Sequence, residues 1–96
     1  MSDIMRMKSA EVVLYGVVKI VWLDGYQGVV DLRPVILEGE MFEFLRRSPD
    51  RFDDVKLSEF GHSMYWLDEE GDEIDFGADS LRRRAERQAA ILRLAS

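Results

Sequence analysis

The chain has 96 residues, of which 47% are hydrophobic and 33% are charged, and this composition predicts one globular domain. It contains no cysteine, which excludes disulfide frameworks, thiolate metal sites and cysteine nucleophiles. Residues 1–80 carry 18 acidic and 8 basic side chains, a net charge of −10, whereas residues 81–96 carry five arginines and one glutamate, a net charge of +4. Such an acidic body disfavours direct binding to nucleic acid and predicts attraction to basic partners.

No apolar segment has the length of a transmembrane helix, because the run from Val12 to Leu23 is short and is broken by Gly16 and Lys19. The first nine residues include three charged side chains and lack the apolar centre of a signal peptide. We therefore expect a protein of the cytoplasm with no membrane partner.

The first third of the chain predicts three β-strands. Valine-rich runs with alternating polar positions are typical of strands, and Val18, Ile20 and Trp22 should share one face of the second strand. Asp24-Gly25 predicts a hairpin with a type I′ turn, because both residues tolerate positive φ. Pro34 should end the pairing, since it has no N–H to donate. The predicted strands are Lys8–Leu14, Val17–Leu23 and Gln27–Leu32, after a flexible N-terminus of residues 1–7.

The middle of the chain predicts short helical turns followed by a second set of strands. Phe42 and Leu45 lie three residues apart, as on one face of a helical turn over Met41–Arg47. Ser48 is expected to cap the next turn through its side chain, and Pro49 suits the first position of that turn. Further elements are predicted as strands over Val55–Phe60 and Met64–Leu67, a turn at 61–63, an acidic loop at 68–72 and a short strand around Ile74.

A C-terminal helix is predicted from Ala78 to about Leu94, with Gly77 or Asp79 as its cap. One side of this helix would be moderately apolar and would consist of Leu81, Ala85, Gln88, Ala89 and Leu92, with Ile91 at its edge. Arginines in the first turn oppose the helix dipole, so residues 82–84 are expected to pair with the acidic loop at 68–73.

Together these elements predict an α+β fold with a small, mostly antiparallel sheet of about five strands, short helices and a C-terminal Arg-rich helix. Residues 8–81 would form a single α+β domain, and residues 82–96 would be a C-terminal helical extension of the same domain. No linker or internal repeat divides the chain.

Turn-forming and apolar residues follow one another in a characteristic order along residues 8–81. These landmark residues are Asp24-Gly25, Val30-Asp31-Leu32, Gly39, Phe42, Leu45, Pro49, Phe52, Val55, Trp66, Gly71, Glu73-Ile74-Asp75 and Leu81. In their order and spacing the chain resembles a bacterial domain-of-unknown-function family, number 2442. The resemblance implies a small α+β domain whose relatives often lie beside small toxin-like genes and are candidate antitoxins. The resemblance implies no catalytic residue in this chain. The chain departs from the family in a longer loop after Trp66 and in an extension between Asp75 and Leu81.

The residues that could carry chemistry have simpler structural interpretations. His62 is the only histidine and lies in a predicted turn, where an exposed position is usual. The acidic run Asp68–Asp75 offers oxygen ligands but lacks the EF-hand spacing, so a solvated loop is the better interpretation. An enzyme would need carboxylates that converge in a pocket with raised pKa values, the candidates being Asp24, Asp31, Glu38 and Asp75. We therefore predict no catalytic residue, no metal site and no cofactor.

The function that these observations favour is a non-enzymatic, antitoxin-like protein-binding module that neutralises or regulates a small basic partner protein. The C-terminal helix is the predicted contact, with apolar anchors and with arginines at the rim. The predicted partner-binding residues are Leu81, Arg82, Arg84, Ala85, Arg87, Ile91 and Leu92. Three alternatives stay open: an acidic nucleic-acid mimic that inhibits a nuclease or other nucleic-acid-binding protein, a small carboxylate-based enzyme, and a homodimer whose terminal helices pair.

Overall fold

The computed structural model describes residues 5–95 and confirms the α+β class. The strands are β1 (Met7–Leu14), β2 (Val17–Trp22), β3 (Gln27–Asp31), β4 (Lys56–Leu57), β5 (Ser63–Leu67) and β6 (Glu73–Gly77). The helices are α1 (Arg33–Ile36), α2 (Glu43–Arg47) and α3 (Ala78–Ala95), and 3₁₀ turns cover Glu40–Phe42 and Pro49–Asp54. The first three strands and the C-terminal helix lie within one residue of their predicted bounds.

The strands form two antiparallel sheets rather than the single sheet of about five strands that the sequence predicted. The sheet orders are β1-β2-β3 and β4-β5-β6. The sheets approach each other where the Met7 N–H donates a 2.7 Å hydrogen bond to the Gly61 carbonyl. Met7 is therefore a buried strand residue and not part of a flexible N-terminus, whereas residues 1–4 of that predicted segment lie outside the described residues.

The predicted strand Val55–Phe60 is wrong for most of its length, because the chain turns directly after β4. The Ser58 N–H donates to the Ser63 carbonyl, and the Ser58 hydroxyl accepts a hydrogen bond from the Ser63 N–H. These two bonds bring residues 58 and 63 together and leave only Lys56 and Leu57 to pair with β5. Local turn chemistry has thus replaced the extended conformation that the apolar residues suggested.

The β2–β3 hairpin is confirmed, but its turn is not of type I′. A type I′ turn needs positive φ at two successive residues, whereas here Gly25 alone has it, with φ of +92°. The Gly25 N–H donates to the Trp22 carbonyl, and the Trp22 N–H donates to the Tyr26 carbonyl. The acidic loop repeats the same three-residue turn with Gly71 at φ of +86°. Both glycines are landmarks because a left-handed backbone is required at each.

Hydrogen bonds from side chains to backbone carbonyls hold the short helices in place. The Tyr15 hydroxyl donates to the Leu45 carbonyl at 3.0 Å, and the Arg46 guanidinium donates to the carbonyls of Ile36 and Gly39 at 2.6 Å each. Ser48 makes no capping hydrogen bond through its side chain, so that prediction is wrong, while Pro49 occupies the first turn as expected. At this position the Arg51 N–H donates to the Ser48 backbone carbonyl at 2.9 Å instead.

The core is aromatic and aliphatic. The Phe52 and Trp66 rings stack with their centroids 5.1 Å apart, and the Trp66 Nε1–H donates to the Phe52 carbonyl at 2.9 Å. Within residues 5–95 no polar or charged side chain is buried. Several landmark residues are buried in this core, namely Val30, Leu32, Phe42, Leu45, Phe52, Trp66, Ile74 and Leu81. Their order in the sequence is thus explained by the packing of the fold.

Candidate protein-binding surfaces

The first half of α3 is anchored in the protein's own core. Leu81 and Ala85 are only 1% and 2% exposed. A Cβ atom at position 28 would lie 3.0 Å from the Ala85 Cβ, so the glycine there allows the helix to approach β3 closely. Upstream, the Trp22 Nε1–H donates to the Ala78 carbonyl at 3.2 Å. Burial takes Leu81 and Ala85 out of the predicted partner surface, and α3 runs without a break across the predicted boundary between residues 81 and 82.

Arg82 is also used within the chain. Its guanidinium donates to the Asp24 carboxylate at 2.9 Å and to Glu86 at 3.0 Å, and lies 4.0 Å from the centroid of the Tyr26 ring. Hydrogen bonds from the Tyr26 N–H and then from Arg82 lower the pKa of the Asp24 carboxyl. The predicted pairing of residues 82–84 with the acidic loop is wrong, because α3 begins beside β2 and its first turn lies near the β2–β3 turn instead. Arg83 approaches Asp79 of its own helix at 3.8 Å.

Gln88 closes one position on the open edge of β3. The Asp31 N–H donates to Gln88 Oε1 at 2.9 Å, and Gln88 Nε2 donates to the Asp31 carbonyl at 3.0 Å. The side-chain amide therefore takes the place that a neighbouring strand would occupy. The sequence placed Gln88 on the inner side of the helix, but its spacing carried no sign of this backbone partner.

Val29 lies on the same open edge, two residues before Asp31. The Leu32 N–H donates a hydrogen bond to the Gly16 carbonyl, and in an antiparallel pair every second residue of a strand faces its neighbour in this way. The backbone N–H and C=O groups of Val29 and Asp31 therefore point away from β2. The Val29 side chain is 51% exposed, and in the second half of α3 Ile91 and Leu92 are 58% and 71% exposed. These three apolar side chains border a depression between the strand and the helix.

We call this depression the helix groove. It consists of two adjoining hollows of about 300 and 270 Å³ that share Val29, Gln88 and Leu92. Hollows of this size are at the lower limit of small-molecule sites. The complete lining is Lys19, Tyr26, Gln27, Gly28, Val29, Asp31, Ala85, Gln88, Ala89, Ile91 and Leu92.

The charges beside the helix groove are of both signs. Lys19 and Asp31 are part of its lining. Asp31 has a lowered pKa, first because Arg33 donates hydrogen bonds to its carboxylate and to a smaller extent because the positive charge of Arg84 acts on it. Of the predicted partner-binding residues, Ile91 and Leu92 thus lie in this groove. Arg84 lies near Asp31 of the lining, and Arg87 is exposed.

A second surface, which the sequence did not predict, brings together two acidic segments that are distant in the chain. Its carboxylates are Glu40, Glu43, Asp68, Glu69 and Glu70, and the remaining lining residues are Met41, Phe44 and Arg47. Met41 is 60% exposed. We call this surface the acidic groove. The acidic loop itself was visible in the sequence, but its approach to the turn before α2 follows from tertiary packing that residue spacing does not reveal.

The carboxylates considered as catalytic groups do not have the environment of a general acid. Asp24 pairs with Arg82 and Asp31 pairs with Arg33 at 2.8 Å, and both carboxyls have lowered pKa values. A general acid needs a raised pKa instead. Glu38, Asp75 and His62 are exposed. Within residues 5–95 no group of three or more His, Asp or Glu side chains could hold a metal ion.

Comparisons with protein-family models, with curated proteins and with solved structures found no match. In the part of the chain that the structure describes, no helix combines the length and the hydropathy needed to cross a bilayer. The resemblance to the domain-of-unknown-function family accordingly stays a prediction from the landmark residues.

Proposed function

We propose that the protein is a non-enzymatic protein-binding module that holds a small basic partner protein in the acidic groove, an antitoxin-like role. The observation that carries this proposal is the meeting of carboxylates from two distant segments around the exposed side chain of Met41. Such a surface complements a partner segment that combines lysine or arginine with an apolar side chain.

The negative charge of the acidic groove is only weakly compensated within the chain. Among its described lining residues Arg47 is the one basic side chain, and its nearest approach to Glu69 is 3.5 Å. Both partners are more than half exposed, so this pair has little stabilising effect. A basic partner would relieve the repulsion among the remaining carboxylates, and the net charge of −10 on residues 1–80 would speed its encounter.

The helix groove is less suited to a basic partner. Lys19 lines it, and Arg84 acts on Asp31 beside it, so an approaching lysine or arginine would meet like charges. We therefore move the proposed contact for the basic partner from α3 to the acidic groove. Met41 takes the role of apolar anchor that the sequence had assigned to residues of the helix.

The experiment is capture of partners from a lysate of the native host with the tagged full chain. The test variant is Glu43→Lys with Glu70→Lys, one carboxylate from each acidic segment, neither of which forms an ion pair in the described structure. The matched control is Asp53→Lys with Glu59→Lys, which makes the same change in net charge at exposed positions that do not line the groove. Circular dichroism establishes that all three chains are folded.

We expect the native chain and the control to retain one small basic protein in stoichiometric amount, and the groove variant to retain about tenfold less of it. Equal retention by the groove variant would contradict the proposal, and so would a native chain that retains no basic protein.

A further inference from the structure

We propose that the helix groove is the contact surface of a two-fold symmetric homodimer, in which Ile91 and Leu92 of each copy pack against Val29 of the other. This inference is independent of the basic partner, because it concerns a different surface with a different charge pattern. It rests on three properties of the described residues: unpartnered apolar side chains, charges of both signs, and the shape of the molecule.

The apolar side chains of the groove belong to elements that are otherwise well packed. α3 buries Leu81 and Ala85, yet about two turns after Ala85 it leaves Ile91 and Leu92 more than half exposed. Val29 in β3 is equally exposed, although Val30 beside it is fully buried. Clustered apolar side chains of this kind, next to polar residues, are typical of surfaces that bind another protein.

The charge pattern selects a second copy as the occupant. On the outer face of the first sheet, Glu11 is paired across the strands with Lys19, and Lys19 is paired with Val29. Farther along this face Asp31 lies within the influence of Arg33 and Arg84. Because side chains of both signs occur here, a two-fold arrangement can place an acidic residue of one copy opposite a basic residue of the other. Two acidic grooves could not face each other in this way, since the five carboxylates of one copy would lie opposite the same five of the other.

The shape of the molecule leaves room for this contact. The principal extents are 36, 35 and 19 Å, so the chain is flat and has two broad sides. A stable dimer buries about 800 Å² on each partner. The accessible surface is 6468 Å², of which such a contact would take roughly an eighth. We expect the helix groove to form the centre of that contact and the exposed sheet face around Lys19 to form its periphery.

The test is the molar mass of the purified full chain, measured by light scattering behind size-exclusion chromatography over a series of concentrations. We expect a mass about twice 11.1 kDa for the native chain. Leu92→Glu should give the monomer mass, because it places a charge in the apolar centre of the contact. Leu37→Glu is the control, since Leu37 is equally exposed but lies outside the groove and should leave the dimer intact. A native chain that is monomeric up to about 1 mM would overturn the inference, and so would a dimeric Leu92→Glu chain.

A cross-link places the contact independently of the mass. The chain has no native cysteine, so Val29→Cys and Leu92→Cys chains can be mixed and treated with a mild oxidant. A disulfide between the two different chains is expected, and a mixture of Val29→Cys and Leu37→Cys should give none. Equal cross-linking in both mixtures would contradict this geometry. The Leu92→Glu chain should still capture the basic partner, and the Glu43→Lys, Glu70→Lys chain should still dimerise, so the two proposals can fail separately.

Discussion

At the scale of single residues, the outer edge of β3 shows how one side chain replaces a strand. An edge strand leaves alternate backbone N–H and C=O groups without partners, and these groups can pair with another chain. Gln88 occupies both groups of Asp31 through two hydrogen bonds from a single amide. The helix is thereby tied to the sheet at a point beyond its buried apolar residues.

Gln88→Ala should lower the free energy of unfolding by about 1–2 kcal/mol, because two hydrogen bonds to the Asp31 backbone are lost. Gln27→Ala is the matched control, since Gln27 is an exposed residue of the same strand whose side chain forms no hydrogen bond in the described structure. Urea denaturation followed by circular dichroism measures both. Equal effects of the two substitutions would show that the contact to Asp31 does not stabilise the fold.

We expect the stability of the chain to depend on acid pH through Asp24. Hydrogen bonds from the Tyr26 N–H and from Arg82 lower its pKa from the ordinary value of 3.8. A carboxyl with a lowered pKa in the folded state contributes its full stabilisation above its unfolded pKa and loses it as the pH falls through the folded pKa. The destabilisation caused by Asp24→Asn should therefore be largest near pH 6 and should shrink below about pH 4.

The measurement is the denaturation midpoint of both chains at about pH 6 and pH 3, with Asp53→Asn as a control at an exposed carboxylate. A difference between Asp24→Asn and the native chain that is the same at both pH values would contradict the role of the ion pair with Arg82.

Among the secondary-structure elements, α3 differs in its packing along its length. Its first half packs on β3 through Leu81 and Ala85, and its second half presents Ile91 and Leu92 to solvent. The sequence predicted the helix and its moderately apolar side, because that side has the 3.6-residue period of a packed helix. It could not show where packing on the sheet ends, since Leu81 and Leu92 are the same residue type on the same side.

Leu81→Ala should lower the free energy of unfolding by about 2–5 kcal/mol, because it leaves a cavity in the core. Leu92→Ala, measured at a concentration where the chain is monomeric, should change it by less than about 0.5 kcal/mol. Thermal or urea denaturation distinguishes these outcomes. If Leu81→Ala were as mild as Leu92→Ala, the helix would not be part of the domain core.

The strands illustrate what residue patterns reveal about this fold and what they leave open. β1, β2 and β3 were predictable because they are rich in valine and are bounded by turn residues, and the predicted inner face of β2, Val18, Ile20 and Trp22, is indeed fully buried. The division into two sheets was not predictable, since β4 ends at the turn at Ser58 and the sheets meet through a backbone hydrogen bond from Met7. Met7 and its partner Gly61 are more than fifty positions apart, and the turn at Ser58 depends on the position of the Ser58 hydroxyl.

At the scale of the whole molecule, the fold separates two surfaces of different character. The acidic groove gathers carboxylates from the turn before α2 and from the β5–β6 loop, and the helix groove gathers apolar side chains and charges of both signs from β3 and α3. Each surface consists of segments that are far apart in the chain. The sequence therefore predicted an acidic protein with a basic partner, but it could not locate the acidic groove and assigned the contact to α3. In our account one surface selects a basic protein and the other selects a second copy.

The salt dependence of the complex between the purified chain and its captured basic partner, measured as a dissociation constant by calorimetry, decides whether the acidic groove binds that partner. We expect the native complex to weaken about tenfold between roughly 50 and 300 mM salt, because opposite charges at the exposed acidic groove are screened. The Glu43→Lys, Glu70→Lys chain should bind more weakly at low salt and show a smaller dependence on salt. A dissociation constant that does not change with salt, or that is the same in both chains, would contradict the acidic groove as the binding site.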